Sequence, residues 1–307
     1  EDLKLSSSAF DARYDNALAS TFVIKQREGN PEKISGNARV SFTESALTLE
    51  GPLKKNRSNF LFSIRKSYLD FLFTAIDLPI RPNFTDMQYK ITHRLSDKTT
   101  LTVLGLGAID VFSFAATKKE TIENAYFRRS LPYINQWNYT VGLALKHLIN
   151  KGFINYTLSR NMFENRLDRF EDARDNQESY RNLKLRSQEM ENKFRMDVNQ
   201  FVNGWKFSYG VMAQYVKYNT DLFNKISSPY INENNIPVPE VNIQFKSAIE
   251  FFKVGAFGQI SKNLFENRVL VSMGLRTDGN TFMNTGLNLN KTLSPRLSAS
   301  YHLNSQW

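Results

Sequence analysis

The side chains best suited to metal binding or proton transfer are three histidines, His93, His147 and His302. They lie far apart, each in or beside a stretch of alternating apolar and polar residues, which fits isolated strand histidines rather than a ligand set. Cysteine is absent, so the sequence offers no thiolate metal site and no disulfide framework. The acidic stretch Asp168, Glu171, Asp172 and Asp175 carries the oxygen ligands that Ca²⁺ takes. Arg166, Arg169 and Arg174 interleave with it, however, as in a solvated mixed-charge loop. Gly105-Leu106-Gly107 lacks the third glycine and the following helix of a dinucleotide site. No nucleophile elbow, zinc-binding helix motif or phosphate loop occurs. The sequence therefore points to no catalytic residue, no metal and no cofactor. The remaining candidates are aromatic: Phe112, Phe114, Tyr126 and Phe127 in the long connection 109–135. Exposed rings on such a loop can stack on a sugar or peptide ligand; the alternative is that they pack the loop against its neighbours.

The elements that must carry these residues are strands. From Gln136 to Met162, Trp137, Tyr139, Val141, Leu143 and Leu145 alternate with Asn138, Thr140, Gly142, Ala144 and Lys146. After Lys151-Gly152, Ile154, Tyr156 and Leu158 alternate with Asn155, Thr157 and Ser159. Period two over this length is an antiparallel hairpin with one apolar and one polar face. About ten further strands follow the same rhythm, from Ala38, Val40 and Phe42 to Leu297, Ala299, Tyr301 and Leu303. Alternate connections are short, with turn residues such as Ser96-Asp97-Lys98 and Asn203-Gly204. The others, 70–83, 109–135, 163–181, 219–245 and 278–292, are long. A sandwich has no reason to put every long loop at one end, whereas a transmembrane barrel has. In the clearest strands Arg65, Lys90, Lys146, Arg195 and Lys206 fall on the polar face, as lipid requires, since a basic residue at the bilayer midplane costs about 2–4 kcal/mol.

Composition agrees with this reading. The chain has 307 residues and net charge +10, and no run of about 20 apolar residues that would make a transmembrane helix. No basic helix or single-strand-binding motif accompanies the positive charge, so nucleic acid is not an expected partner. The fold class is all-β: an antiparallel up-and-down transmembrane barrel.

Four segments carry a family resemblance. Phe10-Asp11-Ala12-Arg13-Tyr14-Asp15-Asn16-Ala17-Leu18-Ala19-Ser20 resembles the last strand of the plug domain of TonB-dependent outer-membrane receptors, in the subgroup with a carboxypeptidase-regulatory-like N-terminal domain. Leu49-Glu50-Gly51-Pro52-Leu53 resembles the start of that subgroup's first periplasmic turn, and Ser63-Ile64-Arg65-Lys66-Ser67-Tyr68-Leu69-Asp70 its third strand. Ser294-Pro295-Arg296-Leu297-Ser298-Ala299-Ser300-Tyr301 resembles a mid-barrel strand. Asp15 stands where the family pattern usually has Gly, a residue that would permit positive φ or close approach.

The resemblance implies a barrel of about twenty-two strands around a plug, of which this sequence holds about twelve. It divides the chain into 1–33, the end of the plug, and 34–307, the first half of the barrel. The rival is a complete twelve-stranded barrel, in which Tyr301, Leu303 and Trp307 would form a C-terminal aromatic face that Ser305 interrupts. The implied function is import of a large or scarce substrate (glycan, peptide or metal chelate) across the outer membrane, without bond chemistry. The alternative is a receptor-like barrel serving as a structural subunit of an outer-membrane assembly or secretion complex. Implied partners are outer-membrane lipid and lipopolysaccharide, an inner-membrane TonB-type energy-coupling complex engaged through the N-terminal part, and a surface lipoprotein or other outer-membrane protein.

Overall fold

The computed structural model describes the chain except residues 1, 7–9, 16, 18–19, 120, 172–173, 175–176, 266–267 and 302–307. Two short strands come first, β1 (Asp2–Ser6) and β2 (Thr21–Lys25), paired with each other. Then come β3 (Ser35–Val40), β4 (Glu44–Lys54), β5 (Ser58–Ser67), β6 (Ile80–Arg94), β7 (Thr99–Phe114), β8 (Tyr133–Ile149), β9 (Gly152–Phe170), β10 (Arg181–Val202) and β11 (Trp205–Ser227). A two-residue ladder, β12 (Tyr230–Ile231) with β13 (Pro237–Val238), interrupts them before β14 (Val241–Leu264), β15 (Val269–Asn280) and β16 (Ser294–Tyr301).

Apart from that ladder, β3 to β16 form one twelve-stranded sheet in which each strand pairs antiparallel with its sequence neighbours. The strictly sequential order forces alternate connections to opposite ends. Every long connection lies at one end, together with the short β3–β4 turn 41–43, and the other five short turns lie at the opposite end. Turn chemistry is local: Asn203 and Gly204 both have positive φ, 49° and 77°, the hairpin geometry that Asn-Gly adopts readily. Lys151 takes the same left-handed conformation at the β8–β9 turn.

β3 and β16 are the two edges of the sheet and are not paired with each other. The described residues therefore form an open sheet rather than the small closed barrel. Phe42, just beyond β3, is 87% exposed. Leu303, His302 and Trp307 lie outside the described residues.

The strands reach further than the alternation shows. β9 runs to Phe170, β11 to Ser227, and β14 starts at Val241, so much of 163–181 and 219–245 is strand rather than loop. The reason is physical. Toward the long-loop end both faces turn polar, so period-two contrast disappears although backbone pairing continues. There Arg186 holds Asp168 through two bonds of 2.7 and 2.8 Å, and Lys217 pairs with Glu250 at 2.6 Å. The long connections also contain two helices that the alternation does not reveal, α1 (Leu69–Ala75) and α2 (Ile122–Ser130). In α2 the Thr121 hydroxyl accepts from the Asn124 amide at 3.1 Å as an N-cap, and Arg128 and Arg129 complement the other end.

On the outer face, β11 presents Trp205, Phe207, Tyr209, Val211, Ala213 and Tyr215 before the first charge, Lys217. Ten steps at ~3.4 Å, tilted by ~45°, span about 24 Å, the height of a lipid-facing belt. Tyr89 lies across Gly105 on the same belt; a Cβ at Gly105 would sit 2.1 Å from its ring.

Candidate functional site

The other face is polar and carries a passenger. Residues 10–15 run across β10, β14, β15 and β16, and the strand side chains that reach them all lie in the polar phase. Gln259 of β14 faces Ala12 directly: its Oε1 accepts the Ala12 amide at 2.7 Å, while Nε2 donates to Asp11 at 3.0 Å and to Ser272 at 2.8 Å. Ala12 is completely buried. It can approach this closely because β15 has glycine beneath it; a Cβ at Gly274 would lie 2.8 Å from the Ala12 methyl.

Three guanidinium groups then hold successive carbonyls of the segment. Arg276 donates to the oxygens of Ala12 and Arg13 at 3.2 and 3.3 Å. Arg195 donates to Arg13 at 2.8 Å, and Arg296 to Asp11 and Tyr14 at 2.7 and 3.1 Å. Arg296 also covers the Phe10 ring at 4.7 Å. Charged donors make hydrogen bonds of roughly 1.5–3 kcal/mol each. Carboxylates on the same strands orient them: Asp197 binds Arg195 through both oxygens at 3.0 and 2.8 Å, and Asp278 holds Arg276. From the segment's side, Arg13 donates to Asn199 at 3.2 Å, and Lys193 donates to Asp15 at 2.6 Å.

Burial alone would raise the Asp15 pKa; the bond to Lys193 and its charge, with Arg276 beyond, outweigh that and hold the carboxyl below its ordinary value. Asp15 does not have a positive φ, so the backbone here does not need the glycine of the family pattern. In this chain its side chain is an anchor instead.

A second contact fixes the following stretch. Lys90 of β6 donates to the Gln26 carbonyl at 2.9 Å and to Glu28 at 2.5 Å, and Glu50 of β4 accepts the Asn30 amide at 3.1 Å while pairing with Arg27. Gly29 lies against the Phe60 carbonyl so closely that a Cβ would fall 2.0 Å from its oxygen.

The expected aromatic residues separate into two groups at the long-loop end. Phe112 and Phe114 of β7 meet edge to face at 5.3 Å, and Phe114 meets Tyr133 at 4.9 Å, which in turn meets Phe170 at 6.3 Å. Together with Ile134, Asn135, Arg166 and Asp168 they line a cavity of about 450 Å³. Tyr126 and Phe127 form their own pair on α2, and Tyr126 is largely exposed. The acidic stretch is paired internally: Asp168 binds Arg186, and Glu171 meets Lys225 at 3.3 Å and Ser228 at 3.0 Å; Asp172 and Asp175 lie outside the described residues. His93 and His147 sit at the short-turn end on Ser58 and Thr99, at 2.6 and 2.9 Å. Among the described residues no group of three or more His, Asp or Glu could hold a metal ion.

Residues 81–307 match the family profile described as TonB dependent receptor-like, beta-barrel. The chain belongs to this receptor family. The family is one of outer-membrane transport receptors and not of enzymes, so the strand belt spans the outer membrane and the polar face lines a lumen. Solved structures agree on the fold. A structure titled Copper transporter OprC superposes with TM-score 0.64 at 11% identity, covering 97% of this chain and 46% of its own. A mutant of the ferric enterobactin receptor PfeA from Pseudomonas aeruginosa gives 0.64 at 15%, covering 99% and 46%. The outer membrane transporter YddB from Escherichia coli gives 0.62 at 10%, covering 97% and 45%. The chain thus spans about half the length of the solved relatives it matches. No curated protein matches it by sequence.

Gln259, Arg276 and Asn199 were not legible as site residues. Their one sequence signal is long polar side chains on the inward phase of β10, β14 and β15, which any lumen wall shows.

Proposed function

We propose that the whole receptor imports a large or scarce substrate, a glycan, peptide or metal chelate, by energised displacement of a plug. Residues 1–33 are the end of that plug, and 34–307 are the first half of the barrel around it. The observation that supports this most is the attachment of residues 10–15 to the lumen wall. Its bonds to the wall are polar: guanidinium groups donate to backbone carbonyls, the Ala12 amide donates to Gln259, and Lys193 pairs with Asp15. Such bonds are individually modest and exchange readily for water, so an inner-membrane motor pulling on the plug can break them in sequence. Two of the solved relatives are named for a copper transporter and a ferric enterobactin receptor, and a metal chelate is a substrate of matching class.

First contact with substrate falls to the aromatic residues of the long-loop end, Phe112 and Phe114 with Tyr133 and Phe170, and Tyr126 and Phe127 on α2. Planar rings around a 450 Å³ cavity with Arg166 and Asp168 at its wall suit a ligand with apolar faces and polar edges. The test uses cells making the full-length receptor and a labelled candidate substrate. Collapsing the inner-membrane proton gradient should abolish uptake and leave surface binding intact. Uptake that survives gradient collapse would contradict energised import.

A further inference from the structure

The net charge of +10 is not spread over the molecule. The six long-loop-end connections (41–43, 68–79, 115–132, 171–180, 228–240 and 281–293) hold six basic and ten acidic residues. The five short turns with their flanking strand residues (53–58, 94–99, 146–153, 201–206 and 262–268) hold ten basic and two acidic ones. The first turn alone contributes Lys54, Lys55 and Arg57, all exposed. The second adds Arg94 and Lys98, and the third Lys146 and Lys151. Among the described residues, the ion pair at this end is Arg94 with Asp97, at 2.9 Å.

The depth of these cations is fixed by their neighbours. Lys262 is on the outer face of β14, and its Nζ lies 4.6 Å from the centre of the Trp205 ring. Trp205 begins the apolar belt of β11, and a tryptophan in that position sits at headgroup level. Exposed Phe265 and Leu53 stand at the same end beside basic residues. Lys262 therefore stands at the height of lipid phosphates, and the exposed turn residues Lys54, Lys55, Arg57, Lys98, Lys151 and Arg268 lie at the same end of the sheet, while Lys146 and Lys206 are on the polar face that lines the lumen. Short turns of such barrels face the periplasm.

We propose that these basic turns bind the anionic phosphate headgroups of the inner leaflet of the outer membrane, so that the receptor gathers acidic glycerophospholipid at its periplasmic rim. A soluble acidic partner would need a flat charged face below the turns. Here the exposed basic residues are spread over separate turns along one end of the belt, and Lys262 stands beside a lipid-facing tryptophan.

The test places full-length receptor in lipid nanodiscs of equal phosphatidylglycerol and phosphatidylcholine, and measures the lipid retained on detergent extraction by mass spectrometry. One basic residue near an anionic surface changes partitioning about fivefold at low salt. Wild type should retain phosphatidylglycerol about tenfold over phosphatidylcholine, and the preference should fall toward parity at 1 M salt, where screening acts within about 3 Å. The variant Lys54→Gln/Lys55→Gln/Lys98→Gln/Lys151→Asn should retain the two lipids within about twofold of each other; asparagine is chosen at 151 because it tolerates positive φ. Lys118→Gln/Lys119→Gln, at the opposite end, should keep the wild-type preference. Equal retention by wild type, or a preference that the four-site variant keeps, would overturn the proposal. So would salt-sensitive binding of a soluble acidic protein to receptor in pure phosphatidylcholine, if it accompanies equal lipid retention. None of these outcomes depends on transport.

Discussion

Replacing Gln259 by alanine isolates one link between the lumen wall and the segment it holds. The Ala12 amide is fully buried and donates to Gln259 Oε1 at 2.7 Å. Removing that acceptor strands a buried donor, which costs roughly 1–3 kcal/mol. Asp11 and Ser272 also lose a donor, but Asp11 is well exposed and Ser272 keeps Ser261 at 2.9 Å, so neither adds much. The local opening equilibrium of residues 10–15 should then rise about 5- to 150-fold. Hydrogen exchange followed by mass spectrometry on the full-length receptor reads this directly. Peptides covering 10–15 should lose protection by that factor, while peptides from β14 and β15 keep theirs. Ser272→Ala, which removes a neighbour of Gln259 but no partner of Ala12, should change exchange by less than about threefold. Unchanged protection at 10–15 in Gln259→Ala would refute the reasoning. Uniform loosening of β14 and β15 would do the same, since it would make Gln259 a strand-stabilising residue instead.

Other consequences follow from the same geometry. The Asp15 pKa is depressed in the docked state, so its contribution to docking is complete above the ordinary carboxylate value and is lost as pH falls through the depressed one. A spin label near residue 14 should gain mobility on acidification, and Lys193→Gln should remove that pH dependence. Arginine at Val211, mid-belt on the lipid face, should destabilise the barrel by about 2–4 kcal/mol in urea-unfolding gels, whereas Lys217→Arg, above Tyr215, should be near neutral. Gly152→Ala would set a methyl 2.1 Å from the Asn199 carbonyl oxygen and Gly105→Ala a methyl 2.1 Å from the Tyr89 ring. The backbone cannot give way and the ring can swing aside, so Gly152→Ala should cost about 1–3 kcal/mol and Gly105→Ala less.

Much of the architecture was legible because lipid imposes a simple rule on strands. Wherever a segment crosses the belt, one face must be apolar, and residues such as Trp205 to Tyr215 alternate visibly. Above the belt water lies on both sides, and strands such as the outer part of β10, with Lys184, Arg186 and Gln188, look like loop. The helix around Tyr126 was hidden for another reason: its cap and terminal arginines are short-range signals within a connection read as irregular. The gripping residues were least legible. Arg195 and Arg296 could be assigned to the polar face, but their partners lie about 180 and 280 positions away, at Arg13, Asp11 and Tyr14. Only the fold brings them together.

The proposed import requires residues 10–15 to leave the lumen wall. A double variant, Ala12→Cys/Gly274→Cys, tests this, and the 307 residues here contain no other cysteine to compete. The Ala12 Cβ and the position of a Cβ at Gly274 are 2.8 Å apart, so a rise of about 1 Å in the segment reaches the ~3.8 Å of a disulfide. In the full-length receptor the bond should form under mild oxidation, uptake should stop, and reduction should restore it. Failure to cross-link, or uptake that continues at the wild-type rate with the bond in place, would contradict the account.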